Sequence, residues 1–177
     1  MKGFMKKSFS IFFVFVFLLC GFTLNNKVHA AGDAPPVTEF YIMGYSWPEL
    51  FSQGLYYSSD AASSVPVPDS TAYLIVYQMG YGSLSCNYYK NMSTYASYPI
   101  TDSNNVVIGF IRVISISNLP EGLDTINLGC SSYSMPWNTM TDSIQLNIEP
   151  NTSDASLQSE NSLGNTLKFS SLGNLKK

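Results

Sequence analysis

Hydrophobic positions after residue 34 follow the periods of β-strands more than those of helices. Residues 72–79 are apolar on both faces, residues 106–117 form the longest strand-like run, and residues 143–149 alternate between apolar and polar side chains. Alternation is typical of a half-buried strand, and a continuous apolar run bounded by turns is typical of a fully buried one. Residues 37–43, which are β-branched and aromatic, also predict a strand, and weaker or shorter candidates are residues 84–90, 98–100 and 123–128.

One short helix and several turns interrupt these strands. Ser46 and Glu49 have the spacing of a capping box, Pro48 suits the first helical turn, and Gly54 supplies a stop. Residues 102–105, Asp-Ser-Asn-Asn, separate two strand candidates and predict a hairpin loop. The pattern predicts an all-β fold, a small antiparallel β-sandwich or partly open barrel, with one short helix near residues 46–54.

The N-terminus has the pattern of a secretory signal. A basic start (Lys2, Lys6, Lys7) precedes the unbroken apolar run 11–20, and a polar segment then ends at Ala30. We therefore expect export with cleavage after Ala30, which leaves one β-rich domain over residues 31–150. Two alternatives stay open: an uncleaved anchor, and lipidation at Cys20, although Leu19 is larger than the residue that a lipoprotein motif places before its cysteine.

Residues 151–177 differ from the rest of the chain in composition. They are rich in Asn, Ser and Leu, and Ser-Leu-Gly-Asn occurs at residues 162–165 and again at 171–174. This composition predicts a low-complexity, disordered C-terminal tail, with a short sorting or docking segment as the alternative.

Cleavage after Ala30 changes the charge and chemistry of the chain. Five cations and twelve acids remain, a formal net charge of −7, and the only histidine, His29, is lost. Binding to nucleic acid is disfavoured because phosphate contacts need clustered Lys and Arg. Stable association with an anionic membrane is disfavoured for the same reason.

Two cysteines, Cys86 and Cys130, remain in the predicted mature chain. Exported proteins with two cysteines usually oxidise them to one disulfide, and the 44-residue loop would stabilise the fold by about 4 kcal/mol on the chain-entropy model. The alternative, a thiol nucleophile, needs a base that is usually histidine. We therefore predict a disulfide between Cys86 and Cys130.

The lack of histidine also narrows the enzymatic hypotheses. It removes a Ser-His-Asp triad and a His-containing zinc site, and the sequence predicts no cofactor and no metal. A hydrolase that uses two carboxylates stays open as an alternative, but nothing in the sequence brings its candidate acids together. These acids are Glu39, Glu49, Asp124, Asp142 and Glu149.

Arginine and aromatic residues supply the candidate ligand contacts. Arg112, the only arginine, lies in the most apolar strand candidate, where it needs an anion or a path to water. Its role is either a structural ion pair or an anchor for a ligand's carboxylate or phosphate. Exposed Tyr and Trp suit sugars and proteins, although many tyrosines only cover a β-sheet. The candidate contacts are Trp47, Tyr81, Tyr88, Arg112 and Trp137.

Three short motifs resemble a known family. They are residues 34–36 (Ala-Pro-Pro), residues 79–83 (Met-Gly-Tyr-Gly-Ser) and residues 136–144, which begin Pro-Trp-Asn-Thr-Met. Together they resemble small secreted proteins of the YolA type from Bacillus-like bacteria, grouped as a domain of unknown function. The resemblance spans roughly residues 34–149 and implies export and one compact domain, but no activity.

The Pro136–Trp137 segment is interpreted as a corner that plugs the end of the sheet, with a ligand contact as the alternative. The leading functional hypothesis is a secreted, non-enzymatic domain that binds a protein or carbohydrate partner. The alternatives are the small carboxylate-dependent hydrolase and an exported effector or inhibitor.

Overall fold

The computed structural model describes residues 34–150 and 166–168, which form nine β-strands and two short helical turns. The strands are β1 Glu39–Ser46, β2 Leu55–Ser58, β3 Ala72–Met79, β4 Gly82–Cys86, β5 Met92–Thr101, β6 Val107–Ile116, β7 Gly122–Ser132, β8 Thr139–Ile148 and β9 Thr166–Lys168. Between β1 and β3 lie the helix α1, Pro48–Ser52, and a 3₁₀ turn, Ser59–Ala61.

The strands build two antiparallel sheets. One has six strands in the order β5-β6-β3-β1-β2-β9, and the other has three in the order β4-β7-β8. The prediction of a small antiparallel all-β fold is confirmed in its sandwich form, because the sheets do not close into a barrel. One core contains side chains from both sheets, among them Ile42, Leu74, Ile114, Ile126, Leu128, Ile144 and Leu146.

Strand β3 is covered on both faces, which explains why its sequence is apolar throughout. Leu74 and Val76 lie in the core between the sheets, whereas Ile75 and Tyr77 belong to a second buried cluster on the other face of the six-stranded sheet. Residues 72–79 were predicted as a strand, and β3 has the same bounds.

The predicted short helix is present, but its predicted cap is wrong. Trp47 occupies the N-cap position without a side-chain cap, and the Ser46 hydroxyl donates to the Leu55 carbonyl at 2.9 Å instead. Gly54 follows the helix with a positive φ of 73°, as its predicted stop role requires. The predicted hairpin at residues 102–105 is confirmed, since β5 and β6 pair on either side of it.

Part of the predicted disordered tail is ordered. β9 pairs antiparallel with β2 at the edge of the six-stranded sheet, with Leu167 opposite Tyr56. The predicted signal sequence, residues 1–30, lies outside the described residues, as do residues 151–165 and 169–177 of the predicted tail.

Hydrogen bonds hold the first described residues between two parts of the fold. The Tyr81 N–H donates to the Pro35 carbonyl at 2.8 Å, and the Val37 N–H donates to the Ser132 hydroxyl at 2.9 Å. The Asn138 side-chain amide donates to the Val37 carbonyl at 2.7 Å. Three segments meet here, and together we name them the N-terminal clamp: residues 34–38, 80–82 and 132–138.

Close packing in the clamp requires glycine at two positions. A Cβ on Gly80, which has a φ of +88°, would lie 2.0 Å from the Pro36 carbonyl oxygen. A Cβ on Gly82 would lie 2.5 Å from the backbone oxygen of Ser131. The Gly-Tyr-Gly sequence is thus explained by the close approach of residues 36 and 37 and of β7.

The predicted disulfide is absent, and both cysteines are free thiols. The register of β4 and β7 gives the reason, because Cys86 lies opposite Leu128 and Cys130 lies opposite Leu84. The two cysteines are therefore diagonal neighbours, whose Cβ atoms are typically about 7 Å apart. A disulfide needs about 3.5–4.5 Å, so oxidation would require the backbone to move.

The packing at Gly82 predicts a large stability cost for Gly82→Ala. The new methyl group meets the Ser131 backbone, which cannot rotate away, so we expect a loss of about 1–3 kcal/mol. Gly129→Ala on β7 is the matched control, because its nearest obstacle is the movable Ser85 hydroxyl at 2.8 Å. Urea unfolding measures both, and equal losses for the two variants would contradict the clamp geometry.

The free thiols of Cys86 and Cys130 predict how a chain of residues 31–177 reacts with an alkylating reagent. When the protein is unfolded in the presence of iodoacetamide and without reductant, we expect each chain to gain two adducts. Intact-mass spectrometry measures the number of adducts. In the folded protein Cys130 reacts last, because it is buried and burial raises the pKa of its thiol, although Arg112 lowers it in part. A secreted chain that gains no adduct until it is reduced would show that the predicted disulfide forms after all.

Candidate functional site

The β7–β8 hairpin ends in an exposed apolar loop. Tyr133, Met135 and Trp137 are 58%, 74% and 71% exposed. These alternate residues of one short loop are among the most exposed large hydrophobic side chains of the described residues. We refer to them as the apolar tip. Exposed aromatic and Met side chains grouped in this way are typical of interaction sites.

The backbone of this loop is fixed by the N-terminal clamp. The Tyr133 N–H donates to the Tyr81 carbonyl at 3.0 Å, and the Ser132 N–H donates to the Asn138 carbonyl at 2.9 Å. The Ser134 hydroxyl donates to the Ala34 carbonyl. The loop is therefore tied to two other segments while its large side chains project outward.

The plug interpretation of Pro136–Trp137 is wrong. The polar side chains of Ser132 and Asn138 close the end of the sheet, and the Ser132 hydroxyl donates to the Asn138 side-chain oxygen. The core at this end is filled by Val37, which is buried. The indole of Trp137 lies outside this core and is largely exposed to solvent.

The outer surface of the three-stranded sheet leads away from the tip and carries no charged side chain. The outward residues of β7 and β8 are polar or glycine except Leu123, which is exposed at the end of β7 far from the tip. The last pair of these strands before the tip is Ser131 and Thr139, whose hydroxyls are 2.8 Å apart. We name this surface the polar face and define it by Ser85, Asn127, Ser131, Thr139, Thr141 and Ser143, with Gly129 at its centre.

A groove crosses the polar face at Gly129. It has a volume of about 440 Å³ and is lined by residues of all three strands, including Ser85, Gly129 and Thr141. The missing side chain of Gly129 leaves its floor open. Asp142 also borders the groove, but its carboxylate accepts hydrogen bonds from the Ile42 N–H at 2.7 Å and from the Ser143 N–H at 2.8 Å.

Three of the five candidate contacts have structural roles. Trp47 is half-buried and stacks on Tyr57, with ring centroids 5.7 Å apart. The Tyr81 hydroxyl donates to the Val107 carbonyl at 3.0 Å. The Tyr88 hydroxyl donates to Asp124, and this hydrogen bond raises the pKa of Tyr88 to about 12.

Arg112 lies on the inner face of the six-stranded sheet, opposite the core residue Val76. Its guanidinium carbon is 5.1 Å from the Phe110 ring centroid, and its Nε is buried without a hydrogen-bond partner. No ion pair involving Arg112 is found among the described residues, so the structural ion pair is not supported there. Its positive charge acts on the Cys130 thiol, whose pKa is nevertheless raised by burial.

Trp47, Arg112 and Trp137 do not form a shared cleft. Trp47 directly follows the last residue of β1, whereas the clamp surrounds the residues that come before the first residue of β1. The two ends of this eight-residue strand are about 25 Å apart. Arg112 lies at the level of the middle of β1. Trp137 is therefore the one candidate contact that projects into solvent as part of an apolar group.

The candidate carboxylates do not form a catalytic pair. Glu39 begins β1 and Glu49 lies in α1 beyond the other end of that strand, while Asp142 is bonded to backbone N–H groups. No group of three or more His, Cys, Asp or Glu side chains that could hold a metal ion occurs in residues 34–150 and 166–168. No helix in the same residues is long and apolar enough to cross a membrane.

The sequence interpretation missed Met135 and the polar face. Met135 had no distinguishing signal, because an isolated Met fits a core as well as a surface. The polar face had one, since every second residue along β8 is polar and uncharged, while the residues between them are apolar except for Asp142. The polar residues are Thr139, Thr141, Ser143, Gln145 and Asn147.

The motifs behind the family resemblance meet at this site. The Ala-Pro-Pro, Gly-Tyr-Gly and Pro-Trp-Asn motifs supply the three segments of the N-terminal clamp. No curated protein matches the chain. The narrower resemblance to YolA-type proteins stays a prediction. The chain belongs to the family described as a domain of unknown function, DUF4879, whose family model matches residues 30–146.

Proposed function

We propose that this protein is an exported, non-enzymatic domain that binds an extracellular partner through its apolar tip. The observation that supports this most is the combination of three exposed side chains with a backbone that the clamp holds in place. Tyr133, Met135 and Trp137 offer contact area that a partner can desolvate. Because the loop is tied down before binding, little of the binding free energy is lost in ordering it.

The position of the clamp is compatible with export. Its first residue, Ala34, lies four positions after the predicted cleavage site at Ala30. Removal of residues 1–30 therefore leaves the whole clamp in the mature chain. The net charge of −7 after cleavage favours a partner that is neutral or basic over nucleic acid or an anionic membrane.

Catalysis is the weaker hypothesis for this domain. The described residues offer no histidine, and Glu39 begins β1 whereas Glu49 lies in α1 beyond the other end of that strand. Asp142, another of the five candidates, accepts hydrogen bonds from backbone N–H groups of β1 and β8. Hydrolysis by paired carboxylates needs two such groups within about 10 Å.

Trp137→Ala tests the proposed function. The mature chain, residues 31–177, is applied to a glycan array and to an array of bacterial surface and secreted proteins, and affinities are measured for every ligand found. We expect Trp137→Ala to weaken binding at least about tenfold, because a central aromatic contact is lost. The variant should leave the free energy of unfolding nearly unchanged, since Trp137 is exposed.

Tyr89→Ala is the matched control. Tyr89 is also an exposed aromatic residue, but it lies in the β4–β5 loop, away from the tip, with Lys90 beside its ring. Its removal should leave the affinity as it is. The proposal is wrong if wild-type protein binds nothing on either array, or if Trp137→Ala binds as well as wild type.

A further inference from the structure

We infer that the partner is an uncharged polysaccharide, which lies along the polar face with one end against the apolar tip. This inference rests on the proposed function and adds to it the chemical class of the ligand. It depends on three features of the three-stranded sheet: the side-chain chemistry of its outer surface, the groove at Gly129, and the position of the tip at the end of the same two strands.

The side chains of the polar face match the chemistry of a sugar chain. Ser, Thr and Asn side chains both donate and accept hydrogen bonds, as sugar hydroxyls do. The hydroxyls of Ser85, Thr141 and Ser143 have no hydrogen-bond partner among the described residues, so they are free to bind a ligand. A protein or nucleic-acid ligand would be expected to meet at least some opposite charge, and the outward positions of β4, β7 and β8 offer none.

The groove gives the ligand a place on the sheet at Gly129, between Ser85 of β4 and Thr141 of β8. A Cβ on Gly129 would lie 2.8 Å from the Ser85 hydroxyl and 3.6 Å from the Thr141 methyl group, so any side chain here would occupy the space between β4 and β8. With glycine, the groove has a volume of about 440 Å³, enough for more than one sugar ring. Its two walls carry the free hydroxyls.

The apolar tip supplies the second kind of contact that a sugar uses. A sugar ring has an apolar C–H face as well as hydroxyl edges, and Tyr and Trp rings offer a flat apolar surface with a polar group at the edge. Ser131 and Thr139 adjoin the tip and are the last pair of the polar face. A chain bound in the groove can therefore continue along β7 and β8 until it reaches Tyr133 and Trp137.

The lack of charge on the polar face favours a neutral polysaccharide over an anionic one. The only arginine, Arg112, lies on the inner face of the other sheet, and β4, β7 and β8 contain no lysine, so these strands offer no cation for a carboxylate or a sulfate. Binding should therefore occur without a dependence on salt concentration, because no ion pair is formed that salt could screen.

Affinity electrophoresis of residues 31–177 tests the inference. The gels contain a neutral polymer (a soluble α-glucan, a β-glucan or a galactomannan) or an anionic one (alginate or hyaluronan). We expect retardation by at least one neutral polymer and by neither anionic polymer, with the same affinity in about 0.05 and 0.5 M salt. Retardation only by an anionic polymer, or by no polymer, would overturn the inference.

The double variant Thr141→Val plus Ser143→Ala tests the location of the site. Both residues are exposed, so loss of their hydroxyls should not affect folding, and the unfolding midpoint checks this. We expect about tenfold weaker binding to the neutral polymer, since sugar hydroxyls lose their partners. Thr94→Val on β5 of the other sheet is the matched control and should bind as wild type does.

The variants also distinguish failure of this inference from failure of the proposed function. If Trp137→Ala abolishes binding to a protein or to an anionic polymer while the double variant has no effect, the tip is a binding site but the polar face is not. If the double variant instead weakens a dimer detected by sedimentation, the polar face binds a second copy of this chain. Either result rejects the neutral polysaccharide.

Discussion

The structure depends on the hydrogen bonds between residues 34–38 and the two segments that enclose them. Val37 is bonded through its N–H to Ser132, the last residue of β7, and through its carbonyl to Asn138, the residue before β8, so one residue is fixed to both ends of the hairpin loop. The same segment continues into β1 of the other sheet, and the two sheets are thereby held together at this end. Gly80 and Gly82 permit the close approach, because any side chain there would collide with backbone. The conformation of the loop that carries Tyr133, Met135 and Trp137 follows from these contacts.

The clamp also explains how the residues that stabilise this small domain are separated from the proposed binding surface. The aromatic residues divide into those that stabilise the sandwich, such as Trp47 on Tyr57 and Tyr81 on Val107, and those at the hairpin end that make no comparable internal contact. The inward apolar residues of β7 and β8 belong to the core, while most of their outward residues are polar and exposed. A surface of this kind can change its ligand by substitution at exposed positions without loss of the fold.

The fold class and most strands could be predicted from the sequence, because burial of one or both faces of a strand sets the pattern of apolar and polar residues along it. Strand β3 is apolar on both faces since clusters cover both of them, and β8 alternates since only one face is covered. Register could not be predicted in this way. Alternation tells which face a residue occupies but not which residue lies opposite it, so the diagonal placement of Cys86 and Cys130 was not visible.

The predicted cap and plug were wrong for a related reason. The spacing of Ser46 and Glu49 predicts a capping box, but in the folded domain the Ser46 hydroxyl donates a hydrogen bond to the Leu55 carbonyl instead. Trp137 was expected inside because indole is large and apolar, yet Ser132, Asn138 and Val37 already close that end of the sheet. The candidate site could be predicted only in part. Trp137 was among the candidate contacts, but its exposure could not be predicted, because the loop is held by contacts with residues about 100 positions away along the chain.

Hydrogen exchange at the backbone amides of the clamp is the most direct test of this account. The amides of Val37, Ser132 and Tyr133 are all hydrogen-bonded, so they should exchange far more slowly than in an unfolded chain, with similar opening free energies. Asn138→Ala should raise all three exchange rates together. If these amides exchange at unfolded-chain rates while the core strands stay protected, the loop is not held by the clamp, and a preorganised binding tip is contradicted.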